Sequence, residues 1–216
     1  MMKRLPFLRR LRSLPQAREA LALVEFALSL PLALLLILTG LEMTNYVIVR
    51  MRVSQIALYV ADNMARIGEG SVLSAKQISE SDINDVLTGA GMQAGSLDLY
   101  KNGRIIISDL EPVTSPNLLK KYVIKWQRCR GDMTTHKSSY GNVGDINSGM
   151  GPAGRQVIAM DNNATMFVEV YYKYQPLIKT SLSPTQDMVE IASMAVRDNR
   201  DLTQIYNTSG ATVSSC

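Results

Sequence analysis

The sequence predicts an α+β protein: one long N-terminal helix, apolar enough to cross a membrane, followed by a domain built on an antiparallel sheet of four or five strands. Three observations carry this. Ala20 to Leu41 is a run of 22 residues with a single ionisable group, Glu25, and at 1.5 Å per residue such a helix covers a hydrocarbon core of about 30 Å. Val49, Val53, Ile56, Val60, Met64 and Ile67 then recur at steps of four and three, which marks one apolar face of a helix. Farther on, short β-branched and aromatic runs separated by turn residues read as strands that such helices can cover.

The chain accordingly divides into a basic leader over 1–20, a transmembrane helix over 21–43 and an α+β domain over 44–216. Lys3, Arg4, Arg9, Arg10, Arg12 and Arg18 are six of the 23 basic residues, and nothing acidic precedes Glu19. Without that tail and Glu25, 17 basic residues face 17 acidic ones, so the formal charge of +4 belongs to the leader. A nucleic-acid surface needs basic residues grouped on the folded part, and none is expected. A basic cluster directly before the apolar run is held in the cytoplasm, which sends the domain outside. A cleaved secretory signal opens in the same way, but its apolar region is about 7 to 15 residues long and ends in an A-x-A-like site. Here the exit is Leu38-Thr39-Gly40-Leu41-Glu42-Met43, so an uncleaved anchor is expected.

Beyond the anchor, the amphipathic face extends the first helix to Ile67, with Gly68-Glu69-Gly70 as its stop. Ser74-Ala75-Lys76-Gln77 fits a capping box for a second helix, striped by Ile78, Ile83, Val86, Leu87 and Ala90 and ended by the glycines at 89, 91 and 95. Leu97-Asp98-Leu99-Tyr100 and Arg104-Ile105-Ile106-Ile107 flank Asn102-Gly103, a hairpin signal because both turn residues tolerate positive φ. Tyr122 to Gln127, Thr165 to Tyr174 and Val189 to Val196 are further strands. In the second of these, Phe167, Glu169, Tyr171 and Lys173 mark one face and Val168, Val170, Tyr172 and Tyr174 the other. Residues 131–154 hold six glycines among many Ser, Thr and Asn, a composition that predicts a flexible loop.

Motifs that suggest chemistry lack the frame that the chemistry needs. Gly149-Met150-Gly151-Pro152-Ala153-Gly154 matches G-x-G-x-x-G, but no strand precedes it and no helix opens within it, so no dinucleotide cofactor is expected. His136 is the only histidine and the cysteines are two, which leaves no zinc-type ligand set and no histidine-activated nucleophile; no metal is expected. Asp82, Asp85, Asp98, Asp109 and Glu111 fall at predicted helix and turn positions and read as solvated charge without an acid/base pair. No catalytic residue and no small-molecule substrate is expected, and the chain reads as a non-enzyme. Cys129 and Cys216 both lie after the apolar run, where an oxidising compartment favours a disulfide. An intramolecular pair, an intermolecular bridge and two free thiols all remain open.

Ala20-Leu21-Ala22-Leu23-Val24-Glu25-Phe26-Ala27-Leu28-Ser29-Leu30-Pro31, preceded by the basic leader, resembles the N-terminal signature of TadE-like proteins, the pseudopilins of the tight-adherence (Flp-type) pilus machinery. Trp126-Gln127-Arg128-Cys129-Arg130-Gly131 and Met166 to Leu177 look like segments of the exported domains of longer members. The matching segments cover about a quarter of the chain, and the family usually shows Gly where this chain has Ala20. The resemblance implies a pilin-like architecture and a minor component of pilus biogenesis, adhesion and biofilm formation. It implies a bacterial inner-membrane location, with a prepilin peptidase, other pseudopilins and a secretion ATPase platform as partners. It further implies a cut between Ala20 and Leu21 that leaves Glu25 fifth in the mature chain, with Phe26 beside it. Glu25 has two readings: it reaches the interface through its own length, or it meets a positive partner within an assembly. A membrane-tethered binding or sensor domain is the alternative function.

Overall fold

The structure, a computed structural model, describes residues 18–71, 74–179 and 183–216. Most of the leader, including Lys3, Arg4, Arg9, Arg10 and Arg12, lies outside the described residues. The chain divides into two units, one made of Met1–Asn45 with Leu177–Ser183 and the other of Tyr46–Pro176 with Pro184–Cys216.

Helix α1 spans Arg18–Met64, 47 residues. Leu and Ala dominate its first half, both strong helix formers. Pro31 removes one backbone donor within the helix, a loss that membrane helices tolerate. Every residue from Leu21 to Leu38 is exposed, so this half of α1 is long and apolar enough to cross a membrane. At the end of the apolar run, Glu42 is buried and accepts the Ile178 N–H at 3.1 Å.

In the second unit, Val49, Val53, Ile56, Val60 and Met64 of α1 are buried, as their spacing predicts. The regular helix stops at Met64 rather than Ile67. Ala65 still bonds back to Ala61 O at 3.0 Å, whereas Arg66 N and Ile67 N both turn to Asn63 O at 2.9 Å, closing the last turn. Helix α2 spans Glu80–Ala94 and opens five residues later than the predicted box. Its capping box is Ser79 with Asp82: Asp82 N donates to Ser79 Oγ at 3.2 Å and Ser79 N to Asp82 Oδ2 at 2.9 Å. Ser74–Gln77 cannot serve because the backbone there is extended, Gln77 bridging Glu69 and Lys76 bridging Arg200. Gly89 and Gly91 do not end this helix. They admit two tyrosines, since a Cβ at Gly89 would lie 2.5 Å from Tyr59 Oη and one at Gly91 2.6 Å from Tyr100 Cε2. Gly95, at φ 54°, is the terminator.

The predicted hairpin about Asn102-Gly103 is absent. A 3-10 turn over Gly95–Leu97 and the short helix α3, Leu99–Asn102, occupy its first arm. Two contacts favour the helical turn: Leu97 and Leu99 both point into the core, and the Tyr100 hydroxyl donates to Leu87 O.

The sheet begins at Gly103. Strands β1 (Gly103–Pro112), β2 (Tyr122–Arg130), β3 (Ile146–Asn147), β4 (Thr165–Lys173) and β5 (Asp187–Ala195) assemble in the order β3-β2-β1-β4-β5, every pair antiparallel. β1 is central and buried along nearly its whole length, which accounts for its unbroken Ile-Ile-Ile run. One face of the sheet offers Ile105, Ile107, Val168 and Val170 to the apolar stripes of α1 and α2. The other offers Leu110, Ile124 and Phe167 to a smaller core completed by Met150, Tyr140 and Val157.

That second core draws on the glycine-rich stretch for which composition predicts flexibility. Glu169, fully buried on the outer face, accepts from Ser138 Oγ and from Ser139 N, the latter at 3.0 Å. Burial raises the Glu169 pKa, and these two bonds oppose the rise. His136 stacks on Tyr171 with ring centroids 4.1 Å apart. Within G-x-G-x-x-G, the glycines at 149, 151 and 154 all take positive φ, and Met150 pairs with Val157 in an antiparallel bridge. The motif therefore makes turns that bury a methionine.

Candidate functional site

Of the residues singled out in the sequence, Leu21, Glu25 and Phe26 lie within the first turns of α1, all exposed. Ala20 falls on the same helix. Glu25 is the one ionisable side chain between Ala20 and Leu41, set on a surface of Leu, Val and Phe. A carboxylate in lipid costs up to about 3 kcal/mol at the centre and less near the boundary.

Cys129 and Cys216 are joined in a disulfide, their Cα atoms 4.9 Å apart and 87 residues apart in sequence. Of the three possibilities left open by the sequence, the intramolecular pair is the one present. Around it, Cys129 N donates to Ser214 O at 2.8 Å, and Ser214 Oγ lies 2.7 Å from Asn84 Oδ1. Arg104 donates to Cys216 O at 3.1 Å. The tail is thereby fastened to β2, α2 and β1 together.

The sequence reading missed a polar cleft of about 270 Å³ between β1, β2 and the segment 200–205. Asp109 and Glu111 alternate along β1 onto the same face, and both are buried. Across from them, the register shifts between Asp109 and Leu110: Asp109 pairs with Trp126, and Leu110 with Ile124. Lys125 is the extra residue of that bulge, so Lys125 and Trp126, consecutive in sequence, both line the cleft. Arg128, two residues on from Trp126 along β2 and so on the same face, holds Glu80 at the start of α2 in a buried two-point ion pair, with Nε to Oε2 at 2.9 Å.

Arg200 closes the inner end. Its Nη2 donates to Met64 O at 2.8 Å and Ile67 O at 2.9 Å, meeting two carbonyls at the C-terminus of α1 that have no partner within the helix. The last turn of α1 has no basic residue of its own, and the guanidinium supplies the positive charge that the helix dipole favours there. Arg200 Nε and Asp109 Oδ1 are both buried without a hydrogen-bond partner.

Burial pushes Asp109 well above the ordinary carboxylate range. The Glu111 charge and the hydrogen bond to Glu111 add to the rise, while Arg200 and Lys125 oppose it. Glu111 is raised by burial and eased by the same hydrogen bond and by Lys125. The burial of Asp109 and Glu111 corrects the reading of these two residues as solvated charge. The available signal was the Asp-x-Glu spacing, whose period of two places both on one face if β1 runs on to Pro112.

Among the described residues, no group of three or more His, Cys, Asp or Glu side chains is arranged to hold a metal ion. No protein-family model, curated protein or solved structure matches the chain.

Proposed function

We propose that this chain is a membrane-anchored pseudopilin of the TadE-like kind, a minor or assembly component of a tight-adherence (Flp-type) pilus with a non-enzymatic role in biogenesis, adhesion and biofilm formation. The observation that carries the reading is helix α1. Residues 21–38 are exposed and, apart from Glu25, rich in Leu and Ala, while the face from Val49 to Met64 is buried in an α+β domain. The ordered Glu-Phe and Pro31 signature behind a basic leader supports the family. The same leader supports an inner-membrane topology with the N-terminus in the cytoplasm and the domain outside, where a disulfide persists. In this reading a prepilin peptidase cuts between Ala20 and Leu21, and Glu25 meets the amine freed on a neighbouring subunit, which offsets the charge's cost in lipid.

The test is the N-terminus of the protein extracted from native-host membranes, read by intact mass, together with capture of partner subunits by a Glu25→Ala variant. A start at Leu21 and loss of capture are expected. A start at Met1 or Met2 with capture undiminished by the substitution would overturn the pseudopilin reading in favour of a tethered binding or sensor domain.

A further inference from the structure

The polar cleft beside Asp109 has no part in the assembly role. Asp109 is 1% exposed and Arg200 is 7% exposed; both residues line the cleft, and each has a buried polar atom without a hydrogen-bond partner, Oδ1 and Nε. Orphaned buried groups of this kind are costly and call for a partner. Oδ1 accepts a hydrogen bond, and the guanidinium Nε–H donates one. A hydroxyl group satisfies both at once, since it donates one hydrogen bond and accepts others; an ammonium ion only donates, and the dianion of a phosphate ester only accepts.

Charge narrows the choice further. The lining carries Asp109, Glu111 and Asp201 against Lys125, Arg128 and Arg200. These formal charges cancel. Neither a net cation nor a net anion is favoured. Trp126 adds an aromatic surface to the lining, suited to the C–H face of a ring whose edges bear hydroxyls. At about 270 Å³, the space is below the about 300 to 1,000 Å³ of drug-sized sites and suits a single small ring.

We propose that this cleft binds one ring of a neutral saccharide, with Asp109 and Arg200 bridging its hydroxyls and Trp126 against its apolar face. The ring comes either as a free sugar or as a unit of a polymeric glycan. This inference is independent of the pseudopilin reading and departs from the expectation that the chain takes no small molecule.

Trp126 is the single tryptophan of the chain, so its emission reports on the cleft directly. The full-length protein in detergent micelles is titrated with D-glucose, D-galactose, N-acetylglucosamine and dextran, and separately with methylammonium and inorganic phosphate at matched ionic strength. The expected result is a saturable emission change with at least one of the sugars, half complete at about 1 to 10 mM for a ligand of about twelve heavy atoms. It is lost or weakened at least about tenfold in Asp109→Ala, which removes the accepting oxygen; losing that one interaction is enough. Should that variant fail to fold by circular dichroism, Lys125→Met, at an exposed bulge position, is expected to weaken the same response several-fold. Response to monosaccharides alone assigns a free sugar, and response to dextran as well assigns a glycan; both support the cleft. Saturation by methylammonium or phosphate instead, or no saturable response to any sugar, overturns the proposal and leaves the orphaned atoms to water.

Discussion

Asp109 shows how much a single position depends on its surroundings. Its burial and then the neighbouring Glu111 charge raise its pKa from the ordinary 3.8, and burial raises Glu111 from the ordinary 4.5. The folded domain then holds protons that the unfolded chain releases. The stabilisation is fully present below the ordinary carboxylate range and is lost as pH rises through the raised values, so unfolding free energy falls with pH across that window. Asp109→Asn removes one titrating group and keeps the shape. Urea midpoints measured from about pH 4 to 8 are expected to fall less steeply in the variant than in the parent. Asp-x-Glu was legible as a spacing. Its burial was not, because burial there depends on Arg200, which lies about ninety residues downstream and is fixed by the carbonyls of Met64 and Ile67.

Among the elements, the apolar stripes of α1 and α2 were read correctly from the sequence because a period of 3.6 is a property of the helix itself. Helix boundaries were not, because capping is decided by competition for backbone groups. Ser74 sits in a plausible box, but its neighbours Lys76 and Gln77 spend their backbone on bridges to Arg200 and Glu69, and Ser79 takes the cap. Ser79→Ala is therefore expected to destabilise the domain by about 1 kcal/mol, and Ser74→Ala to stay within about 0.5 kcal/mol of the parent. Chemical denaturation of the two variants side by side checks this. The Leu97–Tyr100 run failed as a strand for a related reason: alternation over four residues fits a helical turn equally well once Leu97 and Leu99 have a core to enter.

At the scale of the whole molecule, the Cys129–Cys216 bond closes a loop of 87 residues, which by chain entropy stabilises the fold by about 4 to 5 kcal/mol. The double Cys129→Ser, Cys216→Ser variant is expected to lose most of that in urea unfolding. Reductant should destabilise the parent similarly and leave the variant unchanged. Hydrogen exchange at Cys129, whose N–H bonds Ser214 O, should speed up in the variant as the tail loosens.

By itself the sequence determined the apolar helix with its lone Glu25, the continuing amphipathic face, four of the strands and the α+β class, since each is written in residue type and local period. Only the tertiary structure decided that β1 lies at the centre of the sheet, that Cys129 pairs with Cys216, that the residues around Met150 form a second core, and that Asp109, Glu111, Lys125 and Arg200 meet in one cleft. Those outcomes depend on pairings between residues tens of positions apart and on one bulge in register, and neither is encoded by any segment alone.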